Sequence, residues 1–172
     1  MWYVIWALAR KEKELINIIT DKVPEYLYTR VWTPCKKEIR RYSGHQTTVD
    51  IILFPGYVFI DTDDPDAVHQ YIYRYSSYIR FLKDGESYSP VSDHERSIIE
   101  HFTGESGTAG ISMGVITDGR LHILDGPLVG MESHITKIDR HRRKAYVLID
   151  NLLGEDRVLS FGLEVIEKKN ET

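Results

Sequence analysis

At 172 residues, with 42% apolar and 28% charged side chains, the chain has the makeup of an ordinary globular protein of one generous or two small domains, which excludes disorder as a default. Its formal net charge of −4 excludes a protein that coats nucleic acid indiscriminately, because backbone binding needs an excess of Lys and Arg over the contact face. Any nucleic-acid role must rest on a local patch.

The chain opens on WYVIWAL, residues 2–8, rich in Trp, Tyr, Val and Ile and read as a buried strand. This apolar run is too short to span a membrane and has no basic region ahead of it, so neither secretion nor insertion is expected. KEKELINIITDKV follows, with Leu15, Ile18 and Ile19 on one helical face. EYLYTRVWTP is a second strand stopped by Pro34, and LFPGYVFID a third, with three aromatic rings crowded around Pro55-Gly56. Residues 64–76 form a helix opened by Asp64 with Pro65 in its first turn. YIRFLKDG is a fourth strand ending in a turn, and SDHERSIIEHF a helix with Ser92 and Glu95 at capping-box spacing. Residues 103–114, TGESGTAGISMG, hold four glycines and little that is apolar, the composition of a flexible connector.

Beyond it lie short β-rich runs bounded by Gly, Asp or Pro, read as a small five-stranded barrel over residues 115–172 with Gly126 and Gly130 supplying backbone freedom. The expected class is therefore α+β: an α/β sandwich over residues 1–102, an antiparallel sheet with flanking helices, then the connector and the barrel.

Catalytic and metal readings fall away. Cys35 has no partner for a disulfide, no CxxC or HExxH motif is present, and no zinc site or oxidising compartment is expected; a cytoplasmic chain without cofactors is the simplest reading. The acidic run at residues 61–66 places Asp66 where a calcium loop needs Gly, so a helix start favoured by acids is the better account. There is no GxSxG elbow and no phosphate-binding GxxxxGK[ST], and an enzyme is not expected.

KIDRHRRKAY is different. It sets Lys137, Arg140, Arg142, Arg143 and Lys144 within eight residues between two strand-like runs, with His141 and Tyr146 beside them. Seen alone, a basic hairpin is slightly more often a solvated turn than a binding site. In a chain of net negative charge, however, it concentrates positive potential at one tip, and RNA loops are read by cations and stacking rings.

Taken together, these segments resemble the NusG family of transcription elongation factors over nearly the whole chain. WYVIWAL with Glu12 resembles the first strand and helix, LFPGYVFI resembles the family's FPGY strand, and the run from LDGPLVG to KAYVLI resembles its KOW motif. The resemblance implies an NGN domain, a linker and a KOW domain, a monomer, and docking of the NGN domain on the clamp helices of the largest RNA polymerase subunit. Carried over by position, Trp6, Phe54, Tyr57 and Phe59 form that surface, with Pro55 and Gly56 shaping the turn and Val58 and Ile60 in the core. His69 and Gln70 lie where RfaH touches the opposite polymerase pincer, although Tyr71 and Ile72 depart from its pattern.

Other departures are informative. The family's FGR is Leu153-Gly154-Glu155 here, which counts against the termination factor Rho and leaves ribosomal protein uS10 open. With the basic hairpin, this suggests a specialised paralogue of the LoaP or RfaH kind, a processive antiterminator whose Lys137, Arg140, His141, Arg142, Arg143 and Lys144 read a nascent-RNA leader hairpin. A general elongation factor without RNA preference, or a KOW module that never touches polymerase, are the alternatives. Arg10, Lys11, Arg74 and Arg80 are candidates for non-template DNA. LHILDG and YVLID are strongly β-prone, against refolding of the barrel into helices.

Overall fold

A computed structural model describes residues 1–75 and 78–167. Ser76, at the end of the expected second helix, and residues 168–172 of the expected barrel lie outside the described residues. In chain order the elements are β1 (Trp2–Trp6), α1 (Glu12–Lys22), β2 (Arg30–Trp32), β3 (Cys35–Tyr42), β4 (His45–Ile52), β5 (Tyr57–Asp61) and α2 (Pro65–Ile72). There follow β6 (Arg80–Phe81), β7 (Lys83–Asp84), β8 (Ser87–Tyr88), α3 (Asp93–Thr103), β9 (Thr108–Ala109), β10 (Ser112–Thr117), β11 (Arg120–Asp125), β12 (Ile135–Asp139), β13 (Lys144–Leu152) and β14 (Glu155–Glu167). They divide into two compact units, one of residues 1–34 and 54–97, the other of 35–53 and 98–172. No helix among the described residues is long and apolar enough to cross a membrane.

The first unit is built on an antiparallel sheet of order β2-β5-β1-β6, with Ile5 opposite Val58 and Val4 opposite Phe59. Alternation along β1 and β5 sends Tyr3, Ile5, Val58 and Ile60 to one face, where they pack with Leu15 and Ile19 of α1 and Val68 and Ile72 of α2. As its sequence suggests, α2 starts at Asp64, whose carboxylate accepts from the Ala67 amide at 2.9 Å, and α3 starts on a Ser92–Glu95 capping box. The expected second strand shrinks to three residues because Glu25–Leu27 forms a 3-10 turn.

The opposite face of the same sheet carries an aromatic layer. Trp2 and Trp32 meet edge to face at 4.7 Å, Phe59 lies 5.7 Å from Trp32, and Phe54 lies 5.9 Å from Phe59. Arg30 and Arg96 lie over Trp32 and Trp2 at 4.4 and 4.6 Å. Both faces of β5 are thus covered.

The second unit departs further from expectation. Its five-stranded sheet has the order β11-β10-β14-β13-β12, with β10 and β14 parallel, and among the described residues β11 is not paired with β12, so the expected barrel is an open sheet. β14 joins the two halves of this sheet, its first part pairing with β13 up to Gly162 and its last part with β10 from Leu163 onward, and the sheet stays open because no ladder joins β11 to β12 among the described residues. Gly126 matches its expected role, since a Cβ there would fall 2.6 Å from the Ser112 Cα.

Residues 103–114, expected as a flexible connector, carry regular structure. β9 pairs in parallel with β3, Cys35 opposite Thr108, and Thr103, Ala109 and Ser112 are buried. Small residues that suit a linker also suit close strand packing, so composition could not separate the two. The hairpin of β3 and β4, turning at Ser43 and Gly44 with both φ positive, likewise belongs to this unit rather than to the sandwich around it in sequence. It is fastened by a buried ionic cluster: the Lys36 ammonium donates to the Ser160 carbonyl at 2.8 Å, and Glu38 pairs with Lys144 at 2.9 Å.

Burial of Glu38 by itself pulls its proton affinity up, but Lys144 and Lys36 outweigh it and hold the carboxyl below its ordinary value of 4.5. A depressed folded-state value means stability that is present above pH 4.5 and is lost as pH falls through the lower folded value. In urea titrations Glu38→Gln should be destabilised at neutral pH by about 2 kcal/mol and should lose part of the acid sensitivity of the unaltered protein below that window.

Candidate functional site

The sequence-predicted docking residues converge on the turn before β5. Gly56 has φ +86°, and a Cβ there would approach the Ala7 carbonyl to 3.1 Å, so only glycine fits without strain. Its carbonyl accepts from the Ala7 amide at 2.8 Å and its amide donates to the buried Glu12 carboxylate at 2.6 Å. The turn is therefore tied at once to the end of β1 and to the first residue of α1.

Exposure along this turn differs from expectation. Trp6 is 38% exposed, Pro55 is exposed and Tyr57 half-buried, but Phe54 and Phe59 are sealed at 1% and 0%. The prediction that Phe54 and Phe59 lie open with Tyr57 is corrected. Alternation correctly separates Phe59 from Val58 and Ile60, but it does not reveal that Trp2 and Trp32 close over the second face.

Nearby, Ala7, Leu8, Leu15, Ile18, Tyr75, Tyr78 and Ile79 line an open depression of about 260 Å³ with Lys11 and Glu14 at its edge. Leu8 and Tyr78 are well exposed. Sequence reading missed this depression; the tyrosines of YIYRYSSY were the available signal.

His69 sits half-buried on α2. Its Nδ1 lies 2.8 Å from the Tyr88 hydroxyl, which donates to Asp66 at 3.0 Å, and its ring lies 5.5 Å from Phe81. Burial first and the charge of Lys83 second hold the His69 imidazole below its ordinary value. Burial, with the Asp66 hydrogen bond adding to it, pushes Tyr88 up to about 12.

In the second unit, β12 and β13 form the predicted hairpin with Arg140–Arg143 as its loop. The Asp139 carboxylate accepts from the Arg142 amide at 2.8 Å, and Arg143 takes φ +53°. Lys137, Arg140, His141 and Arg142 are exposed, and the Lys137 ammonium lies 5.4 Å from the Tyr146 ring. Arg143 and Lys144 are committed elsewhere: Arg143 donates to Glu164 at 3.1 Å and Lys144 pairs with Glu38. The open cationic tip is therefore smaller than predicted. Of the candidate DNA contacts, Arg10, Arg74 and Arg80 are exposed, while Lys11 pairs with Glu14.

The family model described as "Transcription termination factor nusG" matches residues 1–100. Among solved structures, one reported as "Domain interaction in Thermotoga maritima NusG" is similar at 22% identity and a TM-score of 0.59, covering 94% of this chain and 92% of that one. No curated protein matches the chain.

The buried Glu12 contact yields a direct expectation. Glu12→Leu leaves the Gly56 amide without its acceptor and should cost about 2 kcal/mol in thermal or urea unfolding, whereas Glu12→Gln, which keeps an acceptor, should cost less than half of that.

Proposed function

Because the chain belongs to the NusG family, whose members are transcription factors that bind RNA polymerase and not enzymes, we propose that it is a processive antitermination factor, a specialised paralogue of the LoaP or RfaH kind acting in the cytoplasm. In this reading the first unit docks on the clamp helices of the largest polymerase subunit, and the basic hairpin engages a structured leader in the nascent RNA. The observation that carries the RNA half is the exposure of Lys137, Arg140, His141 and Arg142 together at one tip of a chain with net charge −4.

For polymerase, the supporting surface is Trp6, Pro55 and Tyr57, with the buried, mutually packed Phe54 and Phe59 next to Pro55 and Tyr57 along the chain. An aromatic anchor backed by packed rings loses little side-chain freedom when a partner covers it. His69 adds a contact on α2. Ribosomal protein uS10 and the non-template strand are further candidate partners, while Leu153, Gly154 and Glu155 weigh against Rho.

One observation favours the second reading, a general elongation factor without RNA preference. Arg143 and Lys144 are neutralised within their own unit, leaving a modest cationic tip.

Gel shifts with the full chain decide between the two. A leader hairpin should bind with steep salt dependence, and Arg140→Ala with Arg142→Ala should weaken binding and lower the salt slope by about 2. Equal binding to every RNA tested favours the general factor. On purified elongation complexes, Trp6→Ala or Tyr57→Ala should reduce affinity by about tenfold or more with an unchanged melting temperature; full retention of both variants eliminates the docking surface.

A further inference from the structure

We infer that His69 is fixed as its Nδ1–H tautomer and offers Nε2 as a hydrogen-bond acceptor to an uncharged N–H or O–H donor of a protein partner, with Tyr88 and Asp66 as positioning residues. The inference rests on the reading of His69 as part of the polymerase-facing surface.

A phenol has one hydroxyl proton, and the Tyr88 hydroxyl lies 3.0 Å from Asp66 Oδ1 and 2.8 Å from His69 Nδ1. A carboxylate oxygen can only accept, so the Tyr88 proton points to Asp66. The phenol oxygen then presents a lone pair to Nδ1, and a bond at 2.8 Å requires the ring nitrogen to donate. A neutral imidazole with its proton on Nδ1 has a bare Nε2. Among the described residues Nε2 has no hydrogen-bond partner, and no buried side-chain nitrogen or oxygen lacks one, so Nε2 faces solvent.

The ring is held in place as well as in tautomer. Phe81 lies 5.5 Å away, with Tyr88 and Tyr73 edge-on at 5.9 and 6.1 Å, so little freedom remains to be lost on binding. Lys83, whose ammonium lies 4.5 Å from the Tyr88 ring centre, acts on His69 more strongly than Asp66 does and works with burial to keep the imidazole neutral. A bare lone pair repels phosphate and carboxylate oxygens, so this position rejects the nucleic-acid backbone. With Lys83 and Asp66 opposing one another, it makes no demand for a cation either. Backbone amides, Ser or Thr hydroxyls and Asn or Gln amides fit.

Long-range proton–nitrogen NMR on the full chain labelled in histidine, above pH 7, reads the tautomer directly. His69 should show a protonated Nδ1 and a bare Nε2, and Asp66→Ala, which removes the acceptor of the Tyr88 proton and frees it for the imidazole, should move the population toward Nε2–H. An Nε2–H imidazole in the unaltered protein overturns the inference whatever the polymerase result. In binding to nucleic-acid-free RNA polymerase, Tyr88→Phe and His69→Ala should each weaken affinity by about tenfold and leave single-stranded DNA binding unchanged. Unchanged polymerase affinity, or a loss confined to DNA, overturns the acceptor role. If Trp6→Ala and Tyr57→Ala also leave polymerase binding intact, it is the docking surface that has failed, and the tautomer measurement still judges the proton arrangement separately.

Discussion

The first unit depends on one buried carboxylate. Glu12 sits at the first position of α1, where the unpaired amides of the helix end favour an anion, and its short bond to the Gly56 amide offsets the cost of taking that charge out of water. Through Gly56 the same contact fixes the turn into β5, and through the Ala7–Gly56 bond it fixes the end of β1. Trp6, at the end of β1, and Pro55 and Tyr57, on either side of Gly56, therefore stand on two segments that this contact joins to α1. The geometry of these side chains is thereby set by the fold itself, before any contact rather than during it.

The aromatic layer gives a different sense to the crowding of rings around Pro55-Gly56. Phe54 and Phe59 are buried rather than open, Phe59 lying tilted against Phe54 and Trp32 and edge-on to Trp2. In the second unit the charges are divided in a similar way. Part of the basic hairpin faces solvent, and part of it, Arg143 and Lys144, holds the unit together through Glu164 and Glu38.

Local signals in the sequence carried many of the elements: the Asp64 cap, the Ser92–Glu95 box, the aromatic and β-branched composition of β1, the alternation of β5 and the β-rich character of the chain after residue 115 all match the structure. What stayed hidden depends on distant partners. Nothing near Phe59 announces Trp2, and nothing near Lys144 announces Glu38. The β3–β4 hairpin is the exception, since its Ser43-Gly44 pair is a local turn signal in the sequence. The linker and the closed barrel failed for a shared reason: composition reports what a segment can do, while pairing across the chain decides what it does.

The placement of residues 35–53 bears on how the protein is made. Lys36 leaves the ribosome with its ion partner Glu38 two residues behind it, yet its acceptor on Ser160 follows 124 residues later, so the hairpin must wait through most of translation for the rest of its unit. The N-terminal sandwich, complete by residue 97, can form while that excursion hangs from it. A truncated chain ending before β13 would consequently display a mature first unit and an orphaned hairpin, and nascent chains stalled there are natural clients for chaperones that hold exposed strands.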